Sequence, residues 1–214
     1  MTDREYLVLL SSFAPFGPVR IKLLISYFGR AKKVWNLTKS ELIGVGLKEA
    51  LVNKFLEHRQ KFNNSNYLER LKKLSIDFIT LNDSSYPKNL VGIKDAPPVL
   101  YIKGKFKLSD TNAIAIVGSR KITSYGKEVT EDFAGSLASL GITIVSGLAR
   151  GIDTVSHQST LDVGGRTIAL PFSNPLVAAM ATKRTAFGHG VTLSWNAASE
   201  NLNISSARIR DRRA

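Results

Sequence analysis

The 214 residues include no cysteine, which excludes a disulfide framework and a thiolate metal site and fits a reducing compartment. Histidine is almost as scarce. There are three, and neither His58 nor His189 has a second metal-binding residue at ligand spacing. No N-terminal apolar run approaches the length of a signal or membrane segment, and "MTDREYLVLL" is charged from its third residue. A soluble, cytoplasmic protein that does not enter membranes is expected. Two nucleotide signatures are missing as well. Neither G-x-G-x-x-G nor G-x-x-x-x-G-K-[ST] occurs, which disfavours a dinucleotide fold and a P-loop ATPase. No metal or organic cofactor is implied.

Acidic residues are in short supply: 17 Asp and Glu face 30 Lys and Arg, for a net charge of +13. The excess is uneven. Residues 1–75 hold 14 basic against 6 acidic side chains, whereas residues 111–170 hold 5 of each and residues 171–214 hold 6 against 2. Basic ends attract nucleic acid or anionic lipid without regard to sequence, although a solvated surface looks the same in composition.

Residues 1–75 predict a small helical domain. "EYLVLLSSF", "PVRIKLLISYF", "KSELIGVG", "KEALVNKFLEHRQKF" and "YLERLKKL" repeat apolar residues at helical spacing between Gly, Pro, Asn and Ser breaks. "LIGVGLKEALVNKF" places a Gly-containing hairpin before an amphipathic helix, resembling the helix-hairpin-helix of SAM-like domains. That pattern marks Gly44, Gly46 and Lys48 as secondary DNA contacts through backbone N–H groups. An ordinary helical bundle with glycine turns has the same spacing. Residues 76–110 predict a connector: "IDFITL" alternates like a strand, "NDSSYP" turns, and "PPVLYIKG" is a short strand.

From Ala113 the rhythm becomes strand, loop, helix. "AIAIVG", "ITIVSG" and "RTIAL" read as buried strands, separated by the helices "SYGKEVTEDFAGSLASLG" and "GIDTVSHQSTLDVGG". Such a rhythm builds a parallel sheet with right-handed crossovers, so the expected class is α/β with a Rossmann-like core over residues 111–172. Ligands of such sheets gather where strands turn into helices. There the chain places Gly118, Ser119, Arg120 and Lys121 after the first strand, and Gly147, Arg150 and Gly151 after the second. The glycines are expected to clear space for a ligand backbone, and the cations and hydroxyl to hold an anion. Tyr125 and Phe172 follow strand ends and could stack on a base. Asp153 and His157 share a helix face as a candidate acid/base pair. With no nucleophile or metal cluster beside them, they read better as a helix-start carboxylate and a packed histidine.

"AIVGSRKITSYG", "VSGLARGIDTVSHQSTLDVGGRTIAL" and "LNDSSYPKNLVGIKDAPPVLYIKG", in this order behind a helical domain, resemble the DNA-processing protein A family, DprA/Smf, over about residues 5–172. The resemblance implies a protein that binds single-stranded DNA, forms a homodimer and loads a RecA-type recombinase in natural transformation, and that is not an enzyme. It assigns Gly118, Ser119 and Arg120 to a backbone phosphate, with Gly147, Arg150 and Gly151 as the neighbouring wall. Two other classes fit less well. A phosphoribohydrolase of the LOG type would need a P-G-G-x-G-T-x-x-E loop that is not found, and a structural DNA module would act through the hairpin alone.

After Phe172 the resemblance stops. Residues 173–214 form an atypical basic tail, expected to be irregular and poorly ordered. "ISSARIRDRRA" can be back-translated so that the next frame resembles the family's F-P-x-R-N-R segment. A frameshift near residues 174–182 and an early stop are therefore expected, rather than a selected tail with Arg208, Arg210, Arg212 and Arg213 on nucleic acid. Later strands and the dimer surface would then lie in the part this chain lacks.

Overall fold

The structure, a computed structural model, describes residues 1–170, 178–183, 192–194 and 205–207. The chain divides into two compact units, Met1–Leu100 and Tyr101–Ala214, and the division runs through the segment that the sequence marks as a connector.

The first unit is helical. Helix α1 (Asp3–Ser12) starts with a capping box. The Glu5 N–H donates to the Thr2 hydroxyl (3.2 Å) and the Thr2 N–H donates to the Glu5 carboxylate (2.7 Å), a bond that holds Glu5 below the usual carboxylate range. Then come α2 (Gly17–Phe28), α3 (Ala31–Trp35) and α4 (Lys39–Gly44), the last with the same box built from Thr38 and Glu41. Helices α5 (Glu49–Lys61) and α6 (Asn64–Lys73) complete the set. The apolar positions read at helical spacing converge on one core: Val8, Leu9, Leu10, Val34, Leu42, Val52 and Phe55 are fully buried. The Phe16 ring lies 4.9 Å from Phe13 and 4.6 Å from Phe55, contacts of aromatic packing range. Arg59 closes the end of α3 by donating to the Trp35 and Leu37 carbonyls (2.6 and 2.9 Å). Strand β1 (Asp77–Thr80), the short α7 (Lys88–Val91) and the start of β2 (Val99–Lys103) finish the unit. Tyr86 donates its hydroxyl to the Pro97 carbonyl at 2.8 Å, and burial pushes its pKa up to about 12.

The second unit carries the parallel sheet. Strand β3 (Ala113–Ala115) leads to α8 (Ser124–Ser139), β4 (Thr143–Gly147) to α9 (Ile152–Asp162), and then β5 (Arg166–Leu170) follows. Strand β4 pairs parallel with both neighbours, Ile114 opposite Ile144 and Val145 opposite Ile168. This is the Rossmann-like arrangement that the strand–helix rhythm predicts. Strand β6 (Ala178–Lys183) pairs antiparallel with β5 and parallel with β2, while β7 (Thr192–Ser194) and β8 (Ser205–Ala207) pair with each other. The remaining residues of the expected irregular tail lie outside the described ones, as do the four C-terminal arginines, Phe172 and His189.

One strand departs from expectation. "AIAIVG" reads as a buried strand, yet β3 is only three residues long and Ile114 is 41% exposed. Among the described residues β3 has one neighbour, β4, and stands at the edge of the sheet. A run of apolar residues reports readiness for burial on both faces, not whether both faces are covered.

At the opposite end of the strands a buried carboxylate ties three of them together. Asp110 precedes β3, and its carboxylate accepts from the Arg166 guanidinium at the start of β5, from the Thr143 hydroxyl at the start of β4 (3.1 Å) and from the Lys107 N–H (2.7 Å). Burial alone would raise the Asp110 pKa. The Arg166 and Lys107 hydrogen bonds and the charge of Arg166 outweigh it and hold the group below the usual carboxylate range.

Candidate nucleic-acid interface

The two strand-end loops of the second unit meet backbone to backbone. The Ile152 N–H donates to the Ser119 carbonyl at 3.2 Å. Gly151 sits at φ 83° and ψ −129°, a combination that essentially only glycine adopts. A Cβ there would fall 2.2 Å from the Ser119 oxygen and 3.0 Å from the Arg120 Cα. Gly118 is crowded as well, by a side chain, since a Cβ would lie 2.5 Å from Ile152 Cγ1. At Gly147 it would lie 2.4 Å from the Asp153 carboxylate. The glycines therefore serve a use other than the one expected from sequence. The clearance they create is filled by the chain's own atoms, and it allows the two loops to press together.

That contact brings the cations to one place. Arg120 follows Ser119 and Arg150 precedes Gly151, so both flank the point where the loops touch. Arg120, Lys121 and Arg150 are exposed, and none of their side chains has a hydrogen bond or ion pair with another described residue. Ser119 is less available. Its hydroxyl donates to the Lys121 carbonyl (2.7 Å) and accepts from the Lys121 N–H (3.0 Å), closing a local turn that fixes the loop. Beside the cations, Val117 is 73% and Tyr125 76% exposed. The sequence singled out Tyr125 but not Val117, which it placed in a buried strand.

The two helix starts differ electrically. Asp153 occupies the first turn of α9, is buried, and accepts from the Ala149 N–H at 3.2 Å. Its negative charge already answers the positive end of that helix. Helix α8 has no acidic residue in its first turn, and its cap is the neutral Thr123 hydroxyl, which accepts from the Gly126 N–H at 3.0 Å. An anion is therefore favoured at the start of α8, beside Ser119–Lys121, over the start of α9.

Both members of the candidate acid/base pair are buried. His157 is buried, with Nε2 2.7 Å from the Gly147 carbonyl and Nδ1 2.7 Å from the Thr167 hydroxyl. A carbonyl only accepts, so Nε2 carries the proton. Burial pushes the His157 pKa down, opposed by the Gly147 hydrogen bond and by Asp153. Thr167 is a partner that spacing could not reveal, because it comes from the next strand. Among the described residues no group of three or more His, Asp or Glu could hold a metal ion.

The hairpin residues belong to the first unit. Gly46, at φ 86°, ends α4, with its N–H on the Ile43 carbonyl (2.8 Å) and the Leu47 N–H on the Leu42 carbonyl (3.3 Å). These donors are spent inside the turn, whereas a phosphate would need them free. Gly44 closes α4 and Lys48 precedes α5 with its side chain exposed.

Fold and loops together define a Rossmann-like protein whose first strand-end carries unpaired cations beside an acid-free helix start. The family described as DNA recombination-mediator protein A matches residues 77–188, and the chain belongs to it. It is 34% identical over 176 residues to the protein Smf of Synechocystis, covering 79% of this chain and 44% of that protein. It is 39% identical over 104 residues to the DNA processing protein DprA of Bacillus subtilis, covering 48% of this chain and 35% of that one. The crystal structure of DprA from Streptococcus pneumoniae superposes with a TM-score of 0.61 at 24% identity, over 88% of this chain and 69% of that one, a likeness of fold. The chain thus spans less than half the length of the curated relatives it matches. Among its described residues no single helix is long and apolar enough to cross a membrane.

Proposed function

We propose that this chain binds single-stranded DNA through Gly118, Ser119, Arg120 and Lys121, with Arg150 on the adjoining wall. The observation that carries the reading is the set of three unpaired cations beside the exposed Tyr125 ring at the acid-free start of α8. Guanidinium and ammonium groups hold phosphates, the ring offers a stacking face, and neither reads base identity. Gly147 and Gly151 support the wall by letting Asp153 and the first loop approach. Membership in a family described as a recombination mediator supports a role in DNA recombination. We extend the proposal to delivery of the strand to a RecA-type recombinase by the homodimer of the complete protein, without a catalytic step by this chain.

Anisotropy of labelled oligo-dT across a salt series tests this. Each phosphate contact on a single strand contributes about 0.7 to the slope of log affinity against log salt. Arg120→Ala is expected to lower affinity and flatten the slope by about that amount. Affinity unchanged in this variant but abolished by removing residues 1–75 would assign binding to the helical unit instead.

A further inference from the structure

The first unit contains a second concentration of exposed positive charge. Arg30, Lys32, Lys33, Asn36, Leu37 and Glu41 line an open basin of about 340 Å³. Gly29, at φ 86°, turns the chain out of α2 and sets Arg30 at its rim. Arg30 and Lys32 are exposed, and their side chains have no hydrogen bond or ion pair with another described residue. The one acidic group among the lining residues, Glu41, is turned onto its own helix cap, where its carboxylate accepts from both the N–H and the hydroxyl of Thr38 at 2.8 Å. Lys33 joins the basin to a pair of rings. Its ammonium lies 5.6 Å from the Phe28 centroid, and the Phe28 ring lies 4.8 Å from that of Tyr27, which is 75% exposed.

We infer that this basin and the Tyr27 ring form a further site for single-stranded nucleic acid, with Arg30, Lys32 and Lys33 on phosphates and Tyr27 against a base. Unpaired cations next to an exposed aromatic face suit an unstacked strand, since a duplex hides the faces of its bases. The site does not depend on the strand-end loops. An acidic amphipathic peptide would instead lie along Val19, Leu23 and Tyr27, the exposed apolar line of α2.

The full chain with oligo-dT decides the matter. Arg30→Ala, Lys32→Ala and Lys33→Ala together are expected to flatten the salt slope by up to about 2, at about 0.7 per phosphate. The same change at Lys39, which is paired with Glu49, should leave the slope as it is. Tyr27→Ala should weaken binding by about fivefold or more, and Tyr27→Phe should retain it, because the ring and not the hydroxyl stacks. A strand carrying 5-bromodeoxyuridine should cross-link to Tyr27. An unchanged slope in the triple variant with no cross-link at Tyr27 overturns the inference, as does protection of Tyr27 by an acidic peptide but not by oligo-dT. If Arg120→Ala still flattens the slope in those cases, the strand-end reading stands alone. If only the basin variants act, that reading fails and this one holds.

Discussion

Gly151→Ala and Gly141→Ala make a matched pair, because both glycines have positive φ, 83° and 79°, and only one is crowded. At Gly141 a Cβ meets nothing within 4 Å, so the substitution carries only the left-handed strain of an L-residue, about 1–2 kcal/mol. At Gly151, where ψ −129° puts the residue in a region kept for glycine, the strain is about 1–3 kcal/mol and is joined by a Cβ 2.2 Å from the Ser119 carbonyl oxygen. That atom belongs to backbone and cannot rotate aside, so the loops must separate or the helix start must shift. Overpacking of this kind adds about 1–3 kcal/mol, for a total of about 2–6 kcal/mol. Urea denaturation of the full chain with each substitution gives the difference. Hydrogen exchange at the Ile152 amide, bonded to the Ser119 carbonyl, gives the local readout. Gly151→Ala should release that amide and Gly141→Ala should not. If both cost the same and Ile152 stays protected, the loops are not held together by the close approach at Gly151.

Two ionisable groups set further expectations. Asp110 is held below the usual carboxylate range, so its contribution is present above the unfolded value of about 3.9 and is lost as pH falls through the lower folded value. Asp110→Asn should therefore flatten the acid limb of stability, and Arg166→Ala, which strands the carboxylate, should cost about 3–5 kcal/mol at neutral pH in a urea melt. Burial depresses His157, so the unfolded chain takes up a proton near pH 6.5 that the fold refuses. The stability from neutral His157 is complete above that pH and drains away as pH falls through the folded value. His157→Gln, which keeps an N–H for the Gly147 carbonyl, should remove the part of the slope that sets in as pH falls below about 6.5 in a series of denaturation midpoints.

Much of this architecture can be read along the chain because it is local. The caps at Thr2 and Thr38 lie three residues from their glutamates, and the strand–helix rhythm from Ala113 to Leu170 sets a parallel sheet before any contact is known. The positions of Arg120, Lys121 and Arg150 at strand ends follow from that rhythm. What could not be read depends on residues distant in sequence. Asp110 finds Arg166 fifty-six residues later, His157 finds Thr167 on the next strand, and the glycines' Cβ positions are filled by Ile152, Asp153 and Ser119. Val117 shows the same limit from the other side. Its hydropathy signals a core, yet it lies past the end of β3, in the loop before α8, and is exposed. The Arg30–Lys33 basin left a faint trace, as three cations within four residues, but only the packed helices show that Glu41 is bonded to Thr38 and that the Arg30 and Lys32 side chains have no partner among the described residues.

Amide chemical-shift mapping of the full chain with oligo-dT at low salt tests most directly where the strand lies. Mapped shifts should be largest at Ser119, Arg120, Lys121, Ser124 and Tyr125, with Arg150 following, and should fade as salt is raised. A map in which these amides do not move while bound oligo-dT perturbs other residues would contradict the proposal that the first strand-end loop grips the DNA backbone.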